Sequence, residues 1–252
     1  MALAFRSAIL ALLSGLLIAG CAAPLTMVDR PSPNFGTRDD AQIGILVIHY
    51  TGLPTAEAAL NMLTDPEAKV SSHYTIDEDG TVYVHVPESS RAWHAGLSYW
   101  AGITDVNSHS IGIELVNPGL ELGYRKFPEA QIAALIKLCR EILARHPISA
   151  ARIVGHSDVA PDRKDDPGEL FPWRRLARAG IGLWPSRRRV GLPAEALAQF
   201  GYDPKAAPEK VITAFQRHYR PRKVTGVWDR ECGEILASLL QKAGLVRPPR
   251  GS

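Results

Sequence analysis

The polar and apolar positions become strongly patterned from residue 43 onward. Ile43-Gly44-Ile45-Leu46-Val47-Ile48 is a β-branched run of the length expected for a buried strand. Helical spacing follows over Thr55–Thr64, with Thr55 placed to cap its N-terminus. Two shorter strand-like runs, His73–Ile76 and Thr81–Val86, flank Asp77-Glu78-Asp79-Gly80, whose Asp-Gly pair predicts a hairpin. Ser110–Val116 predicts another strand. The longest helix is predicted over Pro128–Arg145, where apolar residues recur three and four apart. Arg152-Ile153-Val154 reads as a short strand before a loop rich in Pro and Asp, and Leu170–Ala179 as a closing helix. Strands interleaved with helices around one sheet define an α/β domain over residues 42–182.

The flanks read differently. Residues 22–41 contain Pro31, Pro33, Asn34 and Gly36 with little apolar content, and predict a tether. Residues 183–192, with Arg187-Arg188-Arg189, read as a linker whose cations form a solvated face. Three further helical stretches, Ala194–Phe200, Pro208–His218 and Asp229–Ala243, predict a small all-α three-helix domain over residues 193–246.

Composition adds limits. Of 252 residues, 46% are hydrophobic and 22% charged, enough to bury a core without disulfides. A net charge of +3, with no basic face concentrated along the chain, argues against a nucleic-acid partner. At the N-terminus, Arg6 precedes an apolar run from Ala8 to Ala19, shorter than the ~20 residues of a membrane-spanning helix, so it reads as a secretory signal. The run ends in Leu17-Ile18-Ala19-Gly20-Cys21, which resembles a bacterial lipobox. That resemblance implies a signal over residues 1–21, cleavage before Cys21 and lipid on its thiol, hence a membrane anchor. No aspartate follows Cys21, which by the same resemblance implies the periplasmic face of the outer membrane. Cys139 and Cys232, the remaining cysteines, read as buried free thiols.

Three segments carry candidate chemistry. His49 ends the first buried strand; His156 follows the Ile153-Val154 strand; Arg163-Lys164-Asp165-Asp166-Pro167-Gly168 lies just downstream. Histidines at strand C-termini project into the crevice where α/β proteins place ligands. Two of them with one loop carboxylate would leave a fourth metal position open, as catalytic zinc sites do. Residue types alone leave His49 equally readable as a satisfied half-buried histidine.

Gly155-His156-Ser157-Asp158-Val159-Ala160-Pro161 with Arg163-Lys164 and Asp166-Pro167-Gly168 resembles the second metal-binding segment of type 2 N-acetylmuramoyl-L-alanine amidases. Val47-Ile48-His49-Tyr50-Thr51, Ser72-His73-Tyr74, Asp79-Gly80-Thr81-Val82-Tyr83, Ala92-Trp93-His94-Ala95-Gly96 and Ser110-Ile111-Gly112-Ile113-Glu114-Leu115 are similar to its other motifs, in the same order. The resemblance spans Ile43 to Trp173 and implies a central mixed β-sheet flanked by helices, the fold of peptidoglycan recognition proteins and T7 lysozyme. It implies one Zn²⁺ held by His49, His156 and Asp166, with Glu114 as the catalytic acid–base and Lys164 at the oxyanion. Asp158 competes with Asp166 as a ligand but fits local loop structure better. Trp93 and His94 are expected along the substrate groove, and His73 in the core or behind the ligands. His85, His109, His146 and His218 read as structural or exposed, and no tyrosine near the metal can be assigned.

Phe200-Gly201-Tyr202, Ala214-Phe215-Gln216-Arg217-His218-Tyr219 and Thr225-Gly226-Val227-Trp228-Asp229 resemble a three-helix peptidoglycan-binding domain, in which Phe215 and Trp228 fit the core. The resemblances together imply hydrolysis of the amide between N-acetylmuramic acid and L-alanine in peptidoglycan or muropeptides, by a monomer. Two other readings share the fold or the chemistry: a non-catalytic peptidoglycan receptor, and a zinc peptidase of the stem peptide.

Overall fold

The structure, a computed structural model, describes residues 24–186 and 190–246; the lipobox cysteine Cys21 and the basic cluster Arg187–Arg189 lie outside the described residues. Among the described residues eight strands form: β1 Met27–Asp29, β2 Phe35–Gly36, β3 Ile45–Tyr50, β4 Tyr74–Ile76, β5 Val82–Val84, β6 Arg91–Ala92, β7 Ser110–Leu115 and β8 Ile153–Gly155. The helices are α1 Ala56–Thr64, α2 Val106–His109, α3 Gly119–Leu122, α4 Glu129–Arg145, α5 His156–Val159, α6 Trp173–Arg178, α7 Leu197–Phe200, α8 Pro208–Tyr219 and α9 Arg230–Lys242. Six strands make one sheet in the order β1-β5-β4-β7-β3-β8; only β4 and β5 run antiparallel, so the sheet is mixed as expected. Asp77–Gly80 makes the expected hairpin turn between them, with Gly80 at a positive φ of 92°.

Alternation along β3 explains the layering. Leu46 and Ile48 face one side, packed with Leu135, Leu138, Cys139 and Ile142 of α4. Ile45 and Val47 face the other, packed with Trp100, Val154 and the helical residues Phe215, Leu236 and Leu239. The C-terminal helices therefore share a core with the sheet, where the sequence reads as a domain apart. Gln216 lies in the Ala214–Tyr219 segment that resembles a peptidoglycan-binding domain. Fully buried, it accepts from the backbone N–H groups of Thr225 and Gly226 and donates to the Val227 carbonyl, pinning the turn before α9. Phe215 is core, as expected, and both Cys139 and Cys232 are buried free thiols.

One reading needs correction. Residues 22–41, expected as a tether, contribute an edge strand: Met27–Asp29 pair in parallel with Val82–Val84, and Phe35–Gly36 pair with Arg91–Ala92. The strand pattern is hidden because β1 is exposed and the segment is fixed by polar bonds. Asn34 Nδ2 donates to the Asp65 and Val70 carbonyls, and the Ser32 hydroxyl to that of Leu63. Among the described residues, no helix is long and apolar enough to cross a membrane.

Candidate metal centre

Three adjacent parallel strands, β7, β3 and β8, end together and deliver Glu114, His49 and His156 to one crevice. Asp166 comes from the loop beyond α5, and its carbonyl accepts from the Ser157 N–H, which ties the two ligand segments together. His49 Nδ1 lies 3.0 Å from His156 Nδ1 and 3.1 Å from Asp166 Oδ2, and His156 Nδ1 lies 3.2 Å from the same oxygen. A tetrahedral ion with zinc-like bonds of ~2.0–2.1 Å needs donors roughly 3.3 Å apart, so this triangle fits such an ion closely. His49, His156 and Asp166 are all buried, and the three expected ligands form the candidate metal cluster.

Their protonation suits the task, since metal ligands must be deprotonated. Burial, reinforced by the neighbouring His156, lowers the His49 pKa to about 4. Burial would raise Asp166, but His156 and His49 hold its carboxyl well below the usual carboxylate range. The outer nitrogens fix the tautomers. His156 Nε2 donates to the Ala95 carbonyl at 3.2 Å, leaving Nδ1 free for a metal. His49 Nε2 donates to His94 Nδ1 at 3.0 Å, and His94 Nε2 in turn to the Ser110 hydroxyl at 3.1 Å.

His94, expected along the substrate groove, thus has a second contact the sequence did not reveal: it backs the ligand His49. Gly112 makes room for it, because a Cβ at Gly112 would stand 2.5 Å from the His94 ring. His73 sits where expected, behind the ligands. It is fully buried, accepts from the Gly112 N–H at Nδ1, and has Arg38 at 2.7 Å from Nε2. Burial, then Arg38, push its pKa down to about 3. Arg38 itself lies in the segment read as a tether and donates to the Asn107, Ser108 and Ser110 carbonyls.

A cleft of about 160 Å³ opens onto the ligands and is lined by Tyr50, Trp93, His94, Glu114, Lys164 and Asp166 among others. Glu114 is the register partner of His49 across β3 and β7. Its Oε2 is buried without a hydrogen-bond partner, and burial, then the Asp166 charge, push its pKa up to about 8 against the pull of Lys164. An orphaned carboxylate oxygen beside three ligands is what a site built for a metal and a water leaves behind. Tyr50, next to His49 in the chain, is a tyrosine on the wall of this cleft. Asp158, the rival ligand, points elsewhere: Oδ2 accepts from the Gly155 N–H and His218, and Oδ1 from the Tyr202 hydroxyl.

The Amidase_2 family, N-acetylmuramoyl-L-alanine amidase, matches residues 39–169, and the chain belongs to it. Within it, the chain is 41% identical over 268 residues to N-acetylmuramoyl-L-alanine amidase AmiD of Escherichia coli strain K12, covering 92% of this chain and 96% of that protein. It is 37% identical over 164 residues to 1,6-anhydro-N-acetylmuramyl-L-alanine amidase AmpD of the same strain, covering 58% of this chain and 87% of AmpD. Among solved structures, the complex of E. coli AmiD with anhydro-N-acetylmuramic acid-L-Ala-D-gamma-Glu-L-Lys superposes with a TM-score of 0.75, covering 82% of this chain and 93% of that one. Pseudomonas aeruginosa AmpDh3 superposes at 0.74 with 34% identity, covering 84% of this chain and 94% of its own.

Proposed function

We propose that the chain holds one Zn²⁺ on His49, His156 and Asp166 and hydrolyses the amide between N-acetylmuramic acid and L-alanine in peptidoglycan or muropeptides. The observation that carries this reading is the ligand triangle, closed by buried donors and bordered by the unpartnered Glu114 carboxylate. Zinc at such a centre supplies Lewis acidity and makes water a nucleophile at neutral pH. Glu114 takes the proton of the attacking water and returns it to the leaving amine. Its raised pKa favours a group that can both accept and donate near neutrality. Lys164, on the same cleft, faces the developing oxyanion, a task worth roughly 3–4 kcal/mol when one donor is removed elsewhere. Trp93 offers an apolar wall for the sugar or stem. The AmiD complex supports a muropeptide as the ligand class.

Cys21 carries lipid in this reading and anchors the enzyme to the outer membrane, facing the periplasm, as a monomer. The helical unit holds the polymer. A groove of about 530 Å³ at its seam with the α/β unit supports that role, since its lining includes the half-buried Trp184 and the exposed Arg222 and Lys223, an aromatic face and cations for a glycan with peptide carboxylates.

The test is stem-peptide release from purified muropeptides by the fragment lacking residues 1–21, with and without chelator, beside Glu114→Ala. Chelator-sensitive release of peptide beginning with L-alanine, restored by zinc and lost in the variant, is the expected result. A truncated stem would identify a peptidase. Binding without release under any metal condition would identify a receptor.

A further inference from the structure

We infer that Asp158 is a positioning residue through which the C-terminal helical unit holds the metal-ligand loop, so that this unit sets the zinc affinity of the centre. The inference rests on the zinc reading above.

The carboxylate of Asp158 is fully buried, two residues beyond the ligand His156. Within its own loop it accepts from the Gly155 N–H at 2.7 Å, which fixes the backbone immediately before His156. Its other two partners belong to the helical unit. The Tyr202 hydroxyl donates to Oδ1 at 2.6 Å and His218 Nδ1 donates to Oδ2 at 2.7 Å. His218 has little freedom to move, since its ring is stacked between Trp173 at 3.7 Å and Tyr219 at 3.8 Å. The residue before it on α8 reaches the neighbour of the other ligand: Arg217 pairs with Asp165, directly before Asp166, and lies 3.6 Å from Glu169. Further down the loop, the Ala207 N–H donates to Asp162.

The segments that carry His156 and Asp166 are therefore both held by the same unit. His156 and Asp166 are already joined through the Ser157 N–H and the Asp166 carbonyl, so a shift at Asp158 is carried to both. The third ligand, His49, stands on β3, paired on both sides by β7 and β8, and is backed by His94 instead of the helical unit. Zinc affinity depends on holding the three donors at fixed separations, and loss of a supporting partner beyond the ligands costs about tenfold or more.

Two His218 variants separate positioning from packing. His218→Asn keeps a donor where Nδ1 stands but loses the stacked ring; His218→Phe keeps the stack but loses the donor. Zinc affinity is measured on the full chain by competition with a chromophoric chelator, far below the melting temperature of each apo form. Expected is an affinity about tenfold weaker for His218→Phe and close to wild type for His218→Asn. Tyr202→Phe, which removes one hydroxyl, is expected to weaken zinc about as much as His218→Phe and serves as the test if that variant does not fold. Arg230→Ala, a substitution of an exposed side chain on α9, is the control and leaves affinity unchanged. Unchanged affinity in His218→Phe and Tyr202→Phe, or the reverse order of the two His218 variants, overturns the inference while the zinc reading stands. A wild-type chain that binds no zinc overturns both.

Discussion

His49 and Glu114 stand side by side on adjacent parallel strands, register partners one residue from the end of each. The sheet itself therefore sets the spacing between a ligand and the candidate base, and no loop motion is needed to assemble them. Glu114→Gln removes the base while keeping shape and hydrogen-bonding capacity. Expected is a fall in kcat of about 10²–10⁴ with zinc affinity retained, read from stem-peptide release and chelator competition. Equal losses in affinity and rate would mean that Glu114 shapes the metal site instead of moving protons.

Removal of a ligand should act on the metal first. Asp166→Ala takes away the one anionic donor and leaves His49 and His156 facing each other 3.0 Å apart. Zinc should be lost at concentrations that saturate the wild type, and activity with it. A ligand that prefers the folded state raises its melting temperature, so that of the wild type should rise with added zinc and that of Asp166→Ala should not.

The strands that carry the ligands were legible because each is a continuous apolar run, and the expected ligands stand at their ends or in an adjoining loop. The edge strand Met27–Asp29 was not, since three exposed residues beside two prolines carry no periodic signal. The supporting contacts were equally silent. Nothing in a sequence shows that His94 bonds His49, or that His218 reaches 60 residues back to Asp158. Such pairs form only once packing has fixed two distant segments. One trace did exist: Gly112 between Ile111 and Ile113 inside a strand signals a close approach to the backbone, and His94 is what approaches.

That close approach can be tested by filling the space. In Gly112→Ala the added methyl would meet the His94 ring at 2.5 Å, with His94 fixed by its bonds to His49 and Ser110. Overpacking of this kind costs about 1–3 kcal/mol. Expected is a stability loss in that range by denaturant titration of the apo protein, together with weaker zinc binding as His49 loses its partner. A stable variant with unchanged zinc affinity would show that the His49–His94 contact does not orient the ligand.

Acid sensitivity should report on Glu88, which is not one of the candidate ligands. Burial alone would raise its pKa, but hydrogen bonds from Arg145, His146 and Tyr74 outweigh that and hold it at about 2, below the ordinary 4.5. A carboxyl depressed on folding contributes stability that is present above its unfolded pKa and lost as pH falls through its folded one. Glu88→Gln cannot ionise, so the wild type should exceed it in stability above pH ~4.5, by on the order of 2 kcal/mol. The difference should shrink steadily as pH falls through ~2, below which both carry a neutral side chain. Urea denaturation of the two proteins across that range measures it directly. A gap that stays constant with pH would assign the effect of Glu88 to packing and not to charge.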